Sequence, residues 1–186
     1  MRTFTKATCL AISLATASII ATPTFARSTF NFKAEPWSLK KKFLPKMVSY
    51  SSQEKPGTII INTNRRFLYL ILGDGKAKRY GIGVGRSGFT WNGTEKVTRK
   101  REWPSWTPPA EMLARDPSLP KHMKGGPDNP LGARAMYLGN TLYRIHGTAQ
   151  PWTIGTNVSS GCIRLRNQDV EDLYARVKIG TKVIVK

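Results

Sequence analysis

Thr58-Ile59-Ile60-Ile61-Asn62-Thr63-Asn64-Arg65-Arg66-Phe67-Leu68-Tyr69-Leu70-Ile71-Leu72-Gly73-Asp74-Gly75-Lys76 contains two short β-type runs, 58–62 and 67–72, each closed by turn-forming residues. Connections of so few residues make consecutive strands pair as antiparallel hairpins. Outward from this stretch, Lys78 to Val84, Ala135 to Leu138, Leu142 to His146 and Lys182 to Val185 have the same character. Gly139-Asn140 marks another tight turn. The expected fold is mainly β.

Two segments interrupt the strands. Thr90 to Pro130 carries Pro104, Pro108, Pro109, Pro117, Pro120, Pro127 and Pro130. Prolines at that density argue against long regular elements, apart from a short helix near Ala110 to Arg115. The segment reads as a large insertion or lid. Asn167 to Val177 places Val170, Leu173 and Val177 at helical spacing. Asn167 is the expected N-cap, and Asp169, Glu171 and Asp172 suit the positive end of the helix dipole.

The chain has 186 residues. Arg2 and Lys6 precede an apolar run from Cys9 to Ile20, and Thr24-Phe25-Ala26 follows. This reads as a signal peptide over 1–26, because the apolar run is shorter than the roughly 20 residues of a comfortable span. Whether it is cleaved or kept as an anchor stays open. Its removal leaves 160 residues, enough for one domain with a proper core. The net charge falls from +19 to +17, since the leader holds two basic and no acidic residues. A field of that sign draws in polyanions. For an exported chain in the periplasm or cell envelope these are carboxylate-rich peptidoglycan or anionic headgroups, and not nucleic acid. Residues 27–55 mix Phe30, Phe32, Trp37 and Phe43 with Lys33, Lys40, Lys41, Lys42 and Lys46. They read as a basic N-terminal arm, either a solvated strip or a contact to the envelope surface.

With the leader gone, Cys162 is the one remaining thiol, in Ser159-Ser160-Gly161-Cys162-Ile163-Arg164, sixteen residues after His146. A lone thiol in an exported chain is a liability unless it is used. An adjacent imidazole lowers a thiol from its ordinary pKa of about 8.5 by holding the thiolate as an ion pair. His146 is the expected partner, because His122 sits in the proline-rich segment. Gly161 lets the backbone approach a reacting carbonyl, so amides around Cys162 are candidate oxyanion donors. No acidic residue stands near His146, which makes the Gly147 carbonyl the nearest group to orient it. One Cys and two His without a carboxylate cluster make a poor zinc set, so no metal and no cofactor is expected.

Arg144-Ile145-His146-Gly147-Thr148, followed by Val158-Ser159-Ser160-Gly161-Cys162-Ile163-Arg164-Leu165, Asn167 and Asp169-Val170, resembles the signature of the L,D-transpeptidase catalytic domain (YkuD type). The likeness reaches upstream through Pro56-Gly57-Thr58-Ile59, Phe67-Leu68-Tyr69-Leu70, Gly81-Ile82-Gly83-Val84-Gly85 and Asn129-Pro130-Leu131-Gly132. Downstream it extends to Gly180-Thr181, so it covers nearly all of 56–186. It implies a mixed β-sandwich with a few short helices. It also implies a cysteine that attacks the bond before the terminal D-alanine of a peptidoglycan stem peptide, forming a thioester.

An amine then takes the acyl group, from a neighbouring stem in a 3-3 cross-link or from an envelope protein joined to the wall. By the same resemblance Cys162 matches the nucleophile, His146 the base and Gly147 the carbonyl that orients it. Ser160 departs from the form in which a second histidine precedes the glycine, so no role of that histidine carries over. Arg164 either holds a stem carboxylate or locks the loop through carbonyls. Trp103, Trp106 and Trp152 either line the peptide groove or pack, and Trp152 lies in the loop between His146 and Cys162. Two other readings share this sequence: a carboxypeptidase or amidase on the same scaffold, and a non-enzymatic cationic wall-binding protein.

Overall fold

The computed structural model describes residues 38–186, so the expected leader and residues 27–37 of the expected arm lie outside the described residues. Eleven strands and two α-helices follow in chain order. They are β1 (Lys46–Ser49), β2 (Ile59–Asn62), β3 (Phe67–Gly73), β4 (Lys76–Gly81), β5 (Val84–Gly85) and β6 (Gly93–Glu102), then α1 (Ala110–Arg115), β7 (Arg134–Leu138) and β8 (Arg144–His146). β9 (Asn157–Ser159), β10 (Ile163–Arg164), α2 (Asn167–Arg176) and β11 (Lys182–Val185) complete the series.

The two hairpins read from residues 58–76 are present: β2 pairs antiparallel with β3, and β3 with β4. The uninterrupted Ile59-Ile60-Ile61 is explained by cover on both faces of β2. Ile59 and Ile61 belong to the main core with Leu68, Tyr80, Val97, Met136 and Leu173. Ile60 belongs to a second cluster with Tyr69, Ile71 and Ala77, against which Val48 and Tyr50 pack. A strand buried on both faces shows no alternation.

Nine strands run in the order β1-β4-β3-β2-β11-β6-β7-β8-β10. β11 lies parallel to β2 and antiparallel to β6. β6 serves both layers. Its first residues, Gly93 to Lys96, pair with β11, while Val97 and, past a register shift, Arg99 to Glu102 pair with β7. Such a bulge bends a strand and lets it pass from one layer to the other. The main core fills the space between, and α2 contributes Val170, Leu173 and, just past its end, Val177. The result is a mixed β-sandwich.

The structure corrects the sequence at four places. β6 is the longest strand and lies inside the segment expected to hold no long regular element. Its prolines begin only at Pro104, and its ten residues are mostly polar because one face meets solvent, with Val97 alone fully buried. The run expected from Lys78 to Val84 divides into β4 and β5, because past Gly81 the chain leaves β3, bridges to Arg164 at Gly83 and pairs with β9. The end of the expected arm joins the sheet: β1 pairs antiparallel with β4, and Phe43 is buried. A burial pattern of mostly exposed residues over Lys46–Ser49 hid this edge strand.

The fourth correction concerns the start of α2. Arg166 occupies the N-cap position, and the Asn167 side chain leaves the helix. Its Oδ1 accepts from the backbone N–H of Ala133 at 2.9 Å and of Thr148 at 3.1 Å. Asp169 meets Arg166 through two bonds of 2.7 Å each. At the other end Lys100 Nζ donates to the Tyr174 and Val177 carbonyls at 2.7 and 2.6 Å, which satisfies the helix C-terminus and its negative dipole end.

Candidate active site

β8 and β10 run parallel, with Ile163 opposite Ile145 and Arg164 opposite His146. Ile145 and Ile163 both point into the core. Side chains alternate along a strand, so Arg144, His146, Cys162 and Arg164 share the other face. Local bonds hold both strands in place. Arg164 exchanges two backbone bonds with Gly83, each 2.9 Å, and Leu165 N–H donates to the His146 carbonyl at 2.8 Å. The pairing puts Cys162 and His146 on one face of adjacent strands, with Cys162 level with Arg144, and His122 does not join them. Its Nδ1 lies 3.1 Å from Thr107 Oγ1, on the exposed proline-rich segment.

His146 is 3 % exposed. Its Nδ1 lies 2.5 Å from the Gly147 carbonyl oxygen. A carbonyl only accepts, so Nδ1 carries the hydrogen of the neutral ring and Nε2 keeps the free lone pair. Burial drives the His146 pKa down to about 3, and Arg164 and Arg144 add to the shift; the Gly147 and Leu131 carbonyls oppose it. Burial also pushes the Cys162 thiol up, against the pull of Arg144 and Arg164. Both shifts favour the uncharged forms of the two groups. Against the expected thiolate–imidazolium ion pair, the imidazolium is disfavoured because His146 is buried beside two guanidiniums, while Cys162 is only half-buried and both guanidiniums favour its thiolate. The Cys162 thiol lies 3.7 Å from the Leu142 carbonyl, to which it donates.

The turn before Cys162 is fixed by its own atoms. Ser159 Oγ donates to the Cys162 carbonyl at 2.6 Å and accepts from Gly161 N–H at 3.1 Å. Gly161 has φ of +104°, and a Cβ there would fall on the Tyr143 ring, so only glycine suits this position. Since the Gly161 amide is engaged by Ser159, the Cys162 amide is the better-placed oxyanion donor of the two. Ser160 is half-buried beside it. Above the turn Trp91 stacks on Tyr143 with ring centroids 4.4 Å apart, and Trp91 Nε1 donates to the Gly161 carbonyl at 2.9 Å.

Two arginines flank the thiol. The Nε atoms of Arg144 and Arg164 are buried without a hydrogen-bond partner. Arg164 Nη1 reaches Gln150 Oε1 only at 3.5 Å. No carboxylate pairs with either guanidinium among the described residues. Trp152 stands on an exposed 3-10 turn, 55 % accessible, while Trp103 is exposed and Trp106 bridges to Met123.

Sequence reasoning missed Trp91, Tyr143 and Arg144 as parts of the site. Arg144 carried a signal, since it alternates with Ile145 and so shares a face with His146, while Tyr143 falls on the Ile145 side and packs against the core. Trp91 carried none, because it arrives from the loop before β6.

The L,D-transpeptidase catalytic domain model (YkuD) matches residues 56–185. The probable L,D-transpeptidase YbiS of Escherichia coli K12 is 38% identical over 146 residues, which is 75% of this chain and 47% of that protein. The chain thus spans about half the length of this curated relative. A solved structure from Brucella melitensis, described as a probable carnitine operon oxidoreductase, is 49% identical with a TM-score of 0.54, covering 80% of this chain and 96% of that one. An L,D-transpeptidase structure from Mycobacterium smegmatis has a TM-score of 0.55 at 20% identity, over 69% of this chain and 58% of that one, and shares the fold.

Proposed function

Because the chain belongs to the L,D-transpeptidase catalytic domain family, we propose that it is a cysteine-dependent acyltransferase acting on peptidoglycan stem peptides. The observation that carries this reading is the shared face of β8 and β10. There Cys162 shares a face with a histidine whose Nδ1 is held by the Gly147 carbonyl.

His146 Nε2 takes the thiol proton, and Sγ forms a bond to the carbonyl carbon before the terminal D-alanine. The oxyanion is met by the Cys162 amide, within a turn that Gly161 and Ser159 hold rigid. Collapse breaks the C–N bond, D-alanine leaves with the proton from His146, and a thioester remains. The amine of a second stem, or of an envelope protein, then bonds to the same carbon as the C–S bond breaks. The electron pair returns to sulfur and the proton passes through His146 to the thiol.

Arg164 holds a stem carboxylate near the thiol, a role supported by its unpartnered buried Nε. Trp152 borders the peptide from its exposed turn. The protein is exported to the periplasm or cell envelope, as the leader-like residues 1–26 and the strong positive charge suggest. The basic arm is available there for contact with the envelope surface.

Incubation with disaccharide-tetrapeptide, followed by mass spectrometry, tests the proposal. A dimer lacking one D-alanine is the expected product. A tripeptide as the sole product would replace transfer with hydrolysis, and an unchanged substrate would refute both.

A further inference from the structure

The arginines near the thiol belong to a larger row. Register across three strands aligns Arg99 of β6 with Tyr137 of β7 and Arg144 of β8, and Arg101 with Ala135 and His146. Cys162 precedes Ile163, the partner of Ile145, so the thiol stands at the end of the first row. The guanidiniums of Arg99 and Arg144 both lie over the Tyr137 ring, 3.8 and 5.2 Å from its centroid. Arg99, Arg101, Trp103, Tyr137 and Arg144 line a cavity of about 370 Å³.

Glu102 is also on the wall of this cavity, but it is directed to Arg134 at 3.4 Å. Among the described residues no carboxylate pairs with Arg99, Arg101 or Arg144, and Arg144 Nε is buried without a partner. Three uncompensated guanidiniums around one cavity, on a chain of net charge +19, call for an anion, and guanidinium matches carboxylate geometry.

We propose that this groove binds the acyl acceptor, a peptide amine with a free carboxylate close to the reacting nitrogen. The inference rests on the acyltransferase reading above. β6 lies two strands from β8, about 10 Å by ordinary strand spacing. The carboxylate of the departing alanine is only two bonds from the scissile nitrogen, so it falls to the arginines beside the thiol. The β6 arginines stand where a second peptide approaches. Its amine nitrogen bonds to the thioester carbon while the C–S bond breaks, and its proton passes by way of His146 to sulfur.

The test compares two acceptors against the same thioester enzyme: an amine-bearing stem tetrapeptide with free carboxylates, and the same peptide with carboxamides. The full-length protein is expected to transfer to the carboxylate form at least tenfold faster, the scale of one charge-assisted hydrogen bond. The double variant Arg99→Gln/Arg101→Gln is expected to bring the two rates together. A ratio taken within one enzyme does not depend on how much of the variant folds.

Equal rates in the wild type, or discrimination retained in the double variant, overturn the proposal. So does a loss that appears only in Cys162 acylation when the donor is amidated, which assigns the groove to the donor. If the wild type forms no thioester at all, the acyltransferase reading fails separately. Calorimetry with the two peptides then judges the groove: carboxylate preference that vanishes in the double variant supports an anion site, and no preference overturns it.

Discussion

Replacing Asn167 by alanine removes one oxygen that serves two main-chain donors, Ala133 N–H and Thr148 N–H. These donors lie on the two segments that bracket His146-Gly147. An unsatisfied buried donor costs about 1–3 kcal/mol. Thr148 and Asn167 border a cavity of about 310 Å³, where water can replace part of what is lost at Thr148. The expected destabilisation is therefore ~2–4 kcal/mol, against about 1 kcal/mol for an ordinary lost helix cap. In a domain of this size that lowers Tm by roughly 5–15 °C. Urea unfolding followed by circular dichroism measures it, with the slope expected to stay constant.

Two further substitutions separate the strut from a cap. Asn167→Asp keeps an acceptor at the same reach and should retain most of the stability. Asn167→Ser makes a good cap but has an oxygen one bond shorter, and should leave both donors unserved. A loss below about 1 kcal/mol in the alanine variant, or full rescue by serine, would refute the strut. Turnover should fall with stability, because the Gly147 carbonyl that orients His146 sits between the two tethered points.

Cys162→Ala should abolish turnover while leaving the unfolding transition in place; retained product formation would sink the nucleophile assignment. Trp91→Phe keeps the stack on Tyr143 but loses the bond to the Gly161 carbonyl, so a stability cost of about 1 kcal/mol and slower thioester formation are expected, with equal rates counting against a positioning role. His146 has a folded pKa of about 3 against an ordinary 6.5, so between those values the unfolded chain binds a proton that the folded chain does not. Stability from this source is complete above about pH 6.5 and declines as pH falls toward about 3. Asp172 adds a lower window. Its burial is outweighed by bonds from Lys78, Tyr80 and Arg176, which bring it to about 2 from 3.8, so its contribution is lost as pH falls through that range. The slope between neutral pH and about pH 4.5 should flatten in His146→Gln, and parallel curves for the two proteins would contradict the neutral imidazole.

Cys162, His146 and Gly147 were legible because they lie close together in the chain, where spacing and residue type speak for themselves. The hairpins over 58–76 were legible for a similar reason: their partners are sequence neighbours. β6 was not, since a strand with one wet face and a single buried valine looks like a charged loop. The same property conceals the arginine row, whose members are aligned with the thiol's strand only through the register of β6 on β7 and β7 on β8. The N-cap expected at Asn167 failed for a third reason. Local pattern describes what a side chain does for its own helix, and this one reaches out to residues that close around it in space.

β11 sits between β2 and β6, and its backbone links continue past the strand. Lys186 N–H donates to the Ile61 carbonyl, and Thr63 N–H to that of Lys186, at 2.9 and 2.8 Å. The last of the described strands in chain order therefore divides a layer whose other members come early and midway along the chain. Until residue 185 has emerged, the hairpins of β1–β4 and the face carrying Cys162 have no shared sheet between them. Folding to the active form has to wait for the end of the domain to be made, with the high contact order and slow assembly that such a closure brings.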